Sequence, residues 1–119
     1  MGELRDKGWT APRLVGGMHP AEPLWRRAPS RDERGRPLSD FMMIIPKLSR
    51  RPTQYIRDTL REIEGVLARY GDAVVFADVN LRLNTLWVTV RPIPGICLEL
   101  PAALKHRVPE ALLVAHKHD

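Results

Sequence analysis

The feature that most constrains this chain is a change of parity between residues 73 and 92. In the first arm Val75, Ala77, Val79 and Leu81 are uniformly apolar, whereas Val74, Phe76, Asp78, Asn80 and Arg82 are mixed. Side chains alternate across a strand, so this pattern describes a strand with one buried face. In the second arm the parity reverses: Leu86, Val88 and Val90 are apolar, and Thr85, Trp87, Thr89 and Arg91 are mixed. The reversal predicts a β-hairpin. A two-residue loop at Leu83-Asn84 would pair Arg82 with Thr85, Asn80 with Trp87, Asp78 with Thr89 and Phe76 with Arg91, all on the mixed face. A four-residue loop keeps the same parity. Asn84 tolerates positive φ, while Leu83 is a poor first turn residue.

The hairpin sits between two helix-like stretches. From Pro52 to Tyr70, Ile56, Leu60, Ile63, Leu67 and Tyr70 recur at helical spacing and form one apolar stripe. Ser49 or Thr53 is the candidate cap, Pro52 lies at the first turn, and Gly71 ends the helix. Gly65 inside it costs up to about 1 kcal/mol relative to alanine, with close approach to the sheet one reason to keep it. Before this helix, SDFMMIIP (Ser39 to Pro46) reads as a short buried strand with proline at its exit. After the hairpin, Pro92 to Gly95 is a turn. Ile96 to Leu100 then reads either as the start of a helix, which places Pro101 in its interior, or as a further strand with the helix starting at Pro101. Glu110 to His116 is a final strand.

The helical reading gives an α+β fold, a ferredoxin-like βαββαβ two-layer sandwich with two helices on one face of an antiparallel sheet. The other reading adds a strand and gives a three-stranded meander between the helices. Residues 39–119 form the single domain. Residues 1–38 hold five of the eleven prolines and five of the eight glycines, without sustained periodicity, and are expected to be a mostly disordered arm. Its apolar spots are Trp9, Leu14-Val15 and Leu24-Trp25.

Charge narrows the function classes. The arm carries eight Lys and Arg against five Asp and Glu; the domain carries eleven against nine. The domain is thus only mildly basic, with signs mixed rather than segregated. No 18-residue apolar run and no apolar signal core are present, and the lone Cys97 excludes an internal disulfide framework; a cytoplasmic protein is expected. No P-loop, dinucleotide fingerprint, paired-carboxylate site or Cys/His cluster is found, so neither enzyme nor cofactor is expected. Cys97 near a helix start could be activated, but no base is near in sequence and His106 is nine residues away; a structural cysteine is the better reading. His19, His116, His118 and Asp119 do not make a metal site.

The candidate site is the mixed face of the hairpin. Phe76, Asp78, Trp87, Thr89 and Arg91 project from central strands and predict an interface, with a homodimer as the leading expectation and the arm as a possible attachment to a protein partner or a cover for the face. The basic loop Lys47, Arg50 and Arg51 at a helix start would suit an anion or nucleic-acid backbone. The runner-up reading is therefore a single-stranded nucleic-acid binder using that loop, Arg91 and Trp87. A third is a small-ligand sensor using the Pro94-Gly95 turn. No membrane partner is expected.

The βαββαβ order with Trp87 in NTLWVTVRP and Phe41 in DFMMIIP resembles RNA-recognition motifs in part. The family's third-strand pattern has glycines and two aromatics, whereas this strand has one aromatic and no glycine. That resemblance implies bases stacked on the sheet. IPGICLEL is similar to the proline-glycine turn of ACT domains, which implies small-ligand binding; there the turn follows the first strand, and here it follows the third.

Overall fold

The computed structural model describes residues 29–117 of the chain. The first strand, β1 (Ser39–Ile44), alternates: Phe41 and Met43 are buried, while Asp40, Met42 and Ile44 are half-buried. Ile45 and Leu48 continue the core through a short 3₁₀ turn at Leu48–Arg50. Helix α1 (Thr53–Arg69) buries Thr59, Leu60, Ile63, Val66 and Leu67, with Ile56 and Tyr70 packed at the margin of the core. Its N-cap is Pro52, with no side-chain cap. Neither Ser49 nor Thr53 fills that role; the Ser49 N–H instead donates to Asn84 Oδ1 at 2.8 Å.

Strands β2 (Val74–Asn80) and β3 (Thr85–Val90) form the hairpin. The connection is four residues long rather than two. Asn80 is the physical reason: its Oδ1 accepts from the N–H groups of Arg82 (2.9 Å) and Leu83 (3.0 Å), a side-chain turn that starts two residues early. Asn84 closes the loop at φ 58°. The register is therefore Asn80 with Thr85, Asp78 with Trp87 and Phe76 with Thr89. Faces are preserved but every partner shifts by two, and Arg91 lies beyond the end of β3. A β-bulge between Val74 and Phe76 adds one residue, so Val74 is buried and Val75 is only half-buried.

Helix α2 (Ile96–Arg107) starts after Gly95, at φ 79°, and runs through Pro101 without a break. The helical reading of Ile96 to Leu100 is the one the fold adopts, and no extra strand forms there. Ile96, Leu100, Pro101 and Leu104 are its buried residues. Strand β4 (Leu112–Lys117) follows.

The sheet order is β2-β3-β1-β4, with antiparallel pairing throughout. Each crossover, β1-α1-β2 and β3-α2-β4, steps over one intervening strand. Phe41 and Met43, Ala77 and Val79, and Leu86, Val88 and Val90 share one core with the buried stripes of both helices. The fold of the described residues is α+β, with four strands and two α-helices.

Residues 29–38 are more structured than an arm of this composition predicts. Ser30 O accepts from Leu38 N–H, and the turn between them has Gly35 at φ 78°. Asp32 organises it. Its side chain is inaccessible; Oδ1 accepts from the Arg34 and Arg36 N–H groups at 2.9 and 2.8 Å, and Oδ2 pairs with Arg36 Nε at 2.8 Å. Trp9, Leu14-Val15 and Leu24-Trp25, with the rest of residues 1–28, lie outside the described residues.

Candidate functional site

The face of the sheet opposite the helices is built in rows. Pairing places Phe76, Thr89, Asp40 and Lys117 in one row across the four strands. The next holds Asp78, Trp87, Met42 and Ala115, and the third Asn80, Thr85, Ile44 and Leu112. Phe76 and Trp87 are thus diagonal neighbours on adjacent strands. Trp87 Nε1–H donates to Thr89 Oγ1 at 3.2 Å, which fixes the indole along β3.

Burial divides the five sequence-predicted interface residues. Asp78 and Thr89 are 3% and 0% exposed, while Phe76, Trp87 and Arg91 are half-buried. The accessible part of the face is therefore carried by Phe76, Trp87, Met42 and Ile44. Arg91 is occupied. Its Nε donates to Asp72 O at 3.2 Å, and its guanidinium lies 3.5 Å from Asp32 and 3.3 Å from Glu33. This cluster ties the Asp32 turn to the end of β3. Burial works to raise the Asp32 pKa, but the Arg36 and Arg34 backbone donors and the Arg36 guanidinium outweigh it and hold the carboxyl below its ordinary value. Glu33 is lowered by its own backbone N–H and then by Arg91.

The basic loop lies at the other end of the sheet. Lys47, at φ 63°, and Arg50 are exposed, and neither has an ion pair among the described residues. Arg51 stacks on Tyr55, with Cζ 4.9 Å from the ring centroid. The Tyr55 hydroxyl donates to Glu110, so this end of α1 is fastened to the approach to β4. Lys47, Arg50 and Arg51 share one loop, but Arg91 is separated from it by the length of β3, roughly 20 Å at strand rise. The structure does not bring the four into one patch.

Cys97 is half-buried in the first turn of α2. Burial, and secondarily Asp40, push its thiol pKa up, the opposite of activation. The Pro94-Gly95 turn serves as the N-terminal boundary of α2, with Gly95 O accepting from Leu98 and Glu99 N–H at 3.0 and 2.9 Å. Among the described residues no group of His, Cys, Asp and Glu could hold a metal ion, and no helix is long and apolar enough to cross a membrane. His19, His118 and Asp119 lie outside the described residues, and His116 is placed only by its pairing with Phe41.

Sequence reasoning missed the most exposed apolar run. Leu112, Leu113 and Val114 are 49%, 39% and 52% exposed. EALLVAH is legible as a strand, but its exposure follows from strand order, which places β4 at a sheet edge with β1 as its one neighbour among the described residues. No protein-family model, no curated protein and no solved structure matches this chain.

Proposed function

We propose that this chain is a non-enzymatic binding and assembly module with a ferredoxin-like fold, and that it associates with a second copy of itself along the β4 edge and the adjoining second face. The fold assignment rests on the βαββαβ order and on two crossovers that each step over one strand. The observation that carries the functional reading is the run of three exposed large apolar residues, Leu112 to Val114, on a strand with an unpaired rim among the described residues. Edge strands are ordinarily protected by charge or proline, and the stretch from Ala111 to Ala115 has neither.

A second copy fits this edge on chemical grounds. Antiparallel approach about a two-fold axis is self-complementary. It opposes no like charges near the axis, and it sets the Glu110 end of one copy beside the Lys117 end of the other. The β-bulge at Val114 interrupts the ladder, so side-chain burial carries the contact rather than an unbroken run of hydrogen bonds. Met42, Ile44 and Trp87 extend the apolar area inward from the edge.

Sedimentation analysis of the full chain over a concentration series tests this. The mass is expected to rise from 13.6 kDa toward twice that value, and the Leu113→Lys/Val114→Lys double variant to remain monomeric with an unchanged circular dichroism spectrum. A wild-type chain that stays monomeric throughout, or a variant that associates equally well, refutes the reading.

The alternative is a single-stranded nucleic-acid binder, supported by the exposed Lys47 and Arg50, which have no ion pair among the described residues. It requires binding that weakens steeply as salt rises. Absence of binding at low salt eliminates it.

A further inference from the structure

The helix layer carries a different kind of site. Between α1 and α2 lies a cleft of about 290 Å³ lined by Arg61, Glu62, Gly65, Val66, Arg69 and Arg107. The lining residues include three arginines and one glutamate, an excess of two positive charges among them. The ion pairs that involve these arginines are loose. Arg107 lies 3.7 Å from Glu62, with both side chains half-exposed, and Arg61 lies 3.5 Å from Asp58 at an exposed position. Pairs of this kind contribute little and exchange readily with a better partner. Arg69 has no ion pair among the described residues.

Gly65 opens the cleft. Residues 61, 65 and 69 follow one another at intervals of four and so share one helix face. Gly65 leaves a gap between the two arginines, and Val66 adds a buried apolar wall. A Cβ at position 65 would meet nothing within 4 Å, so packing does not require glycine. Its φ is not in the left-handed region either. A mid-helix glycine is ordinarily a liability, and neither close approach to the sheet nor backbone conformation accounts for this one. The helix dipole gives Arg69 and Arg107 a structural reason to sit in last turns. It gives none for Arg61 or for Gly65.

We propose that this cleft binds the phosphomonoester group of a small molecule. Such a group carries nearly two negative charges at neutral pH, which matches the local excess. Guanidinium forks are suited to its oxygens. The volume is several times that of one water, so it admits a small organic moiety alongside the phosphate. The site is independent of the proposed self-association, which uses the β4 edge and the adjoining face of the sheet opposite the helices.

The test is calorimetric titration of the full chain with ribose 5-phosphate, inorganic phosphate and acetate. Both phosphate-bearing probes are expected to bind saturably, and acetate at least about tenfold more weakly because it offers a single charge. Tighter binding of ribose 5-phosphate identifies the ester; tighter binding of inorganic phosphate restricts the site to the free ion and overturns the small-molecule assignment. Gly65→Glu places a carboxylate in the cleft without burdening the helix, and it is expected to abolish binding while the melting temperature holds or rises. Arg107→Ala is expected to weaken binding about tenfold or more. No saturable binding, equal binding of acetate, or undiminished binding by Gly65→Glu overturns the proposal.

Discussion

Replacing Pro101 with alanine tests whether the second helix is held by local geometry or by its packing. Pro101 is the sixth residue of α2, well past the first turn, and it is buried. A residue with an N–H at that position would donate to the Cys97 carbonyl; proline cannot, and its ring crowds that carbonyl. The helix penalty relative to alanine is about 3 kcal/mol. Against this, alanine removes two buried carbons, a loss of about 1.6 kcal/mol at roughly 0.8 per methylene. The difference predicts that Pro101→Ala stabilises the protein by about 1 kcal/mol. In a domain of this size that corresponds to a rise in melting temperature of roughly 4–8 °C. Thermal and urea unfolding followed by circular dichroism provide the measurement, with an unchanged denaturant slope showing that the same surface is exposed. A loss of 2 kcal/mol or more would refute the reasoning, because the ring would then be an anchor of the core and not an interruption of the helix.

Three other outcomes are expected. Leu100→Ala, one residue away and wholly buried, should cost about 2–5 kcal/mol in the same unfolding experiment, the opposite sign to its neighbour. Gly65→Ala should add up to about 1 kcal/mol, since a methyl group there meets open space. Stability should form a plateau in pH: Asp32, Glu33 and Glu110 have lowered pKa values, so their contribution is present above the ordinary carboxylate range and is lost as pH falls through the lowered values. Tyr55 and Tyr70, raised first by their hydrogen bonds to Glu110 and Glu99, contribute below the ordinary tyrosine value and cease to do so as pH rises through the raised ones. Melting temperature measured from acid to alkaline pH checks both limbs, and Asp32→Asn should flatten the acid one.

The parity of residues 74 to 90 was enough to read the hairpin, because alternation is a local consequence of pleating. The loop length was not, because it depends on the Asn80 side chain claiming two backbone donors. The α1 stripe was legible from its spacing, while its capping was not, since Ser49 is drawn to Asn84, 35 residues away. Asp32 sits in a stretch whose composition resembles a disordered tail. Its ordering comes from one carboxylate satisfying several donors and from Arg91, 59 residues on. The exposed edge at Leu112 to Val114 and the arginine cleft depend on strand order and helix adjacency, which no local pattern encodes. Burial of Asp78 and Thr89 is likewise a tertiary property. Alternation assigned both to the correct face without showing how little of either would reach solvent.

The place of β1 between β3 and β4 has a consequence for how the chain is made. Phe41 pairs with Val88 on one side and with His116 on the other, so the first of the described strands waits for the last of them. The β2-β3 hairpin can form as soon as it emerges, whereas β1 gains a neighbour only once β3 is complete and its second only at the C-terminal end. Such long-range closure slows folding and prolongs the exposure of unpaired strand edges. A nascent or truncated chain ending before Leu112 therefore leaves β1, rich in methionine and isoleucine, paired with β3 alone and open along its other rim. Premature termination should produce aggregates rather than a weakened domain.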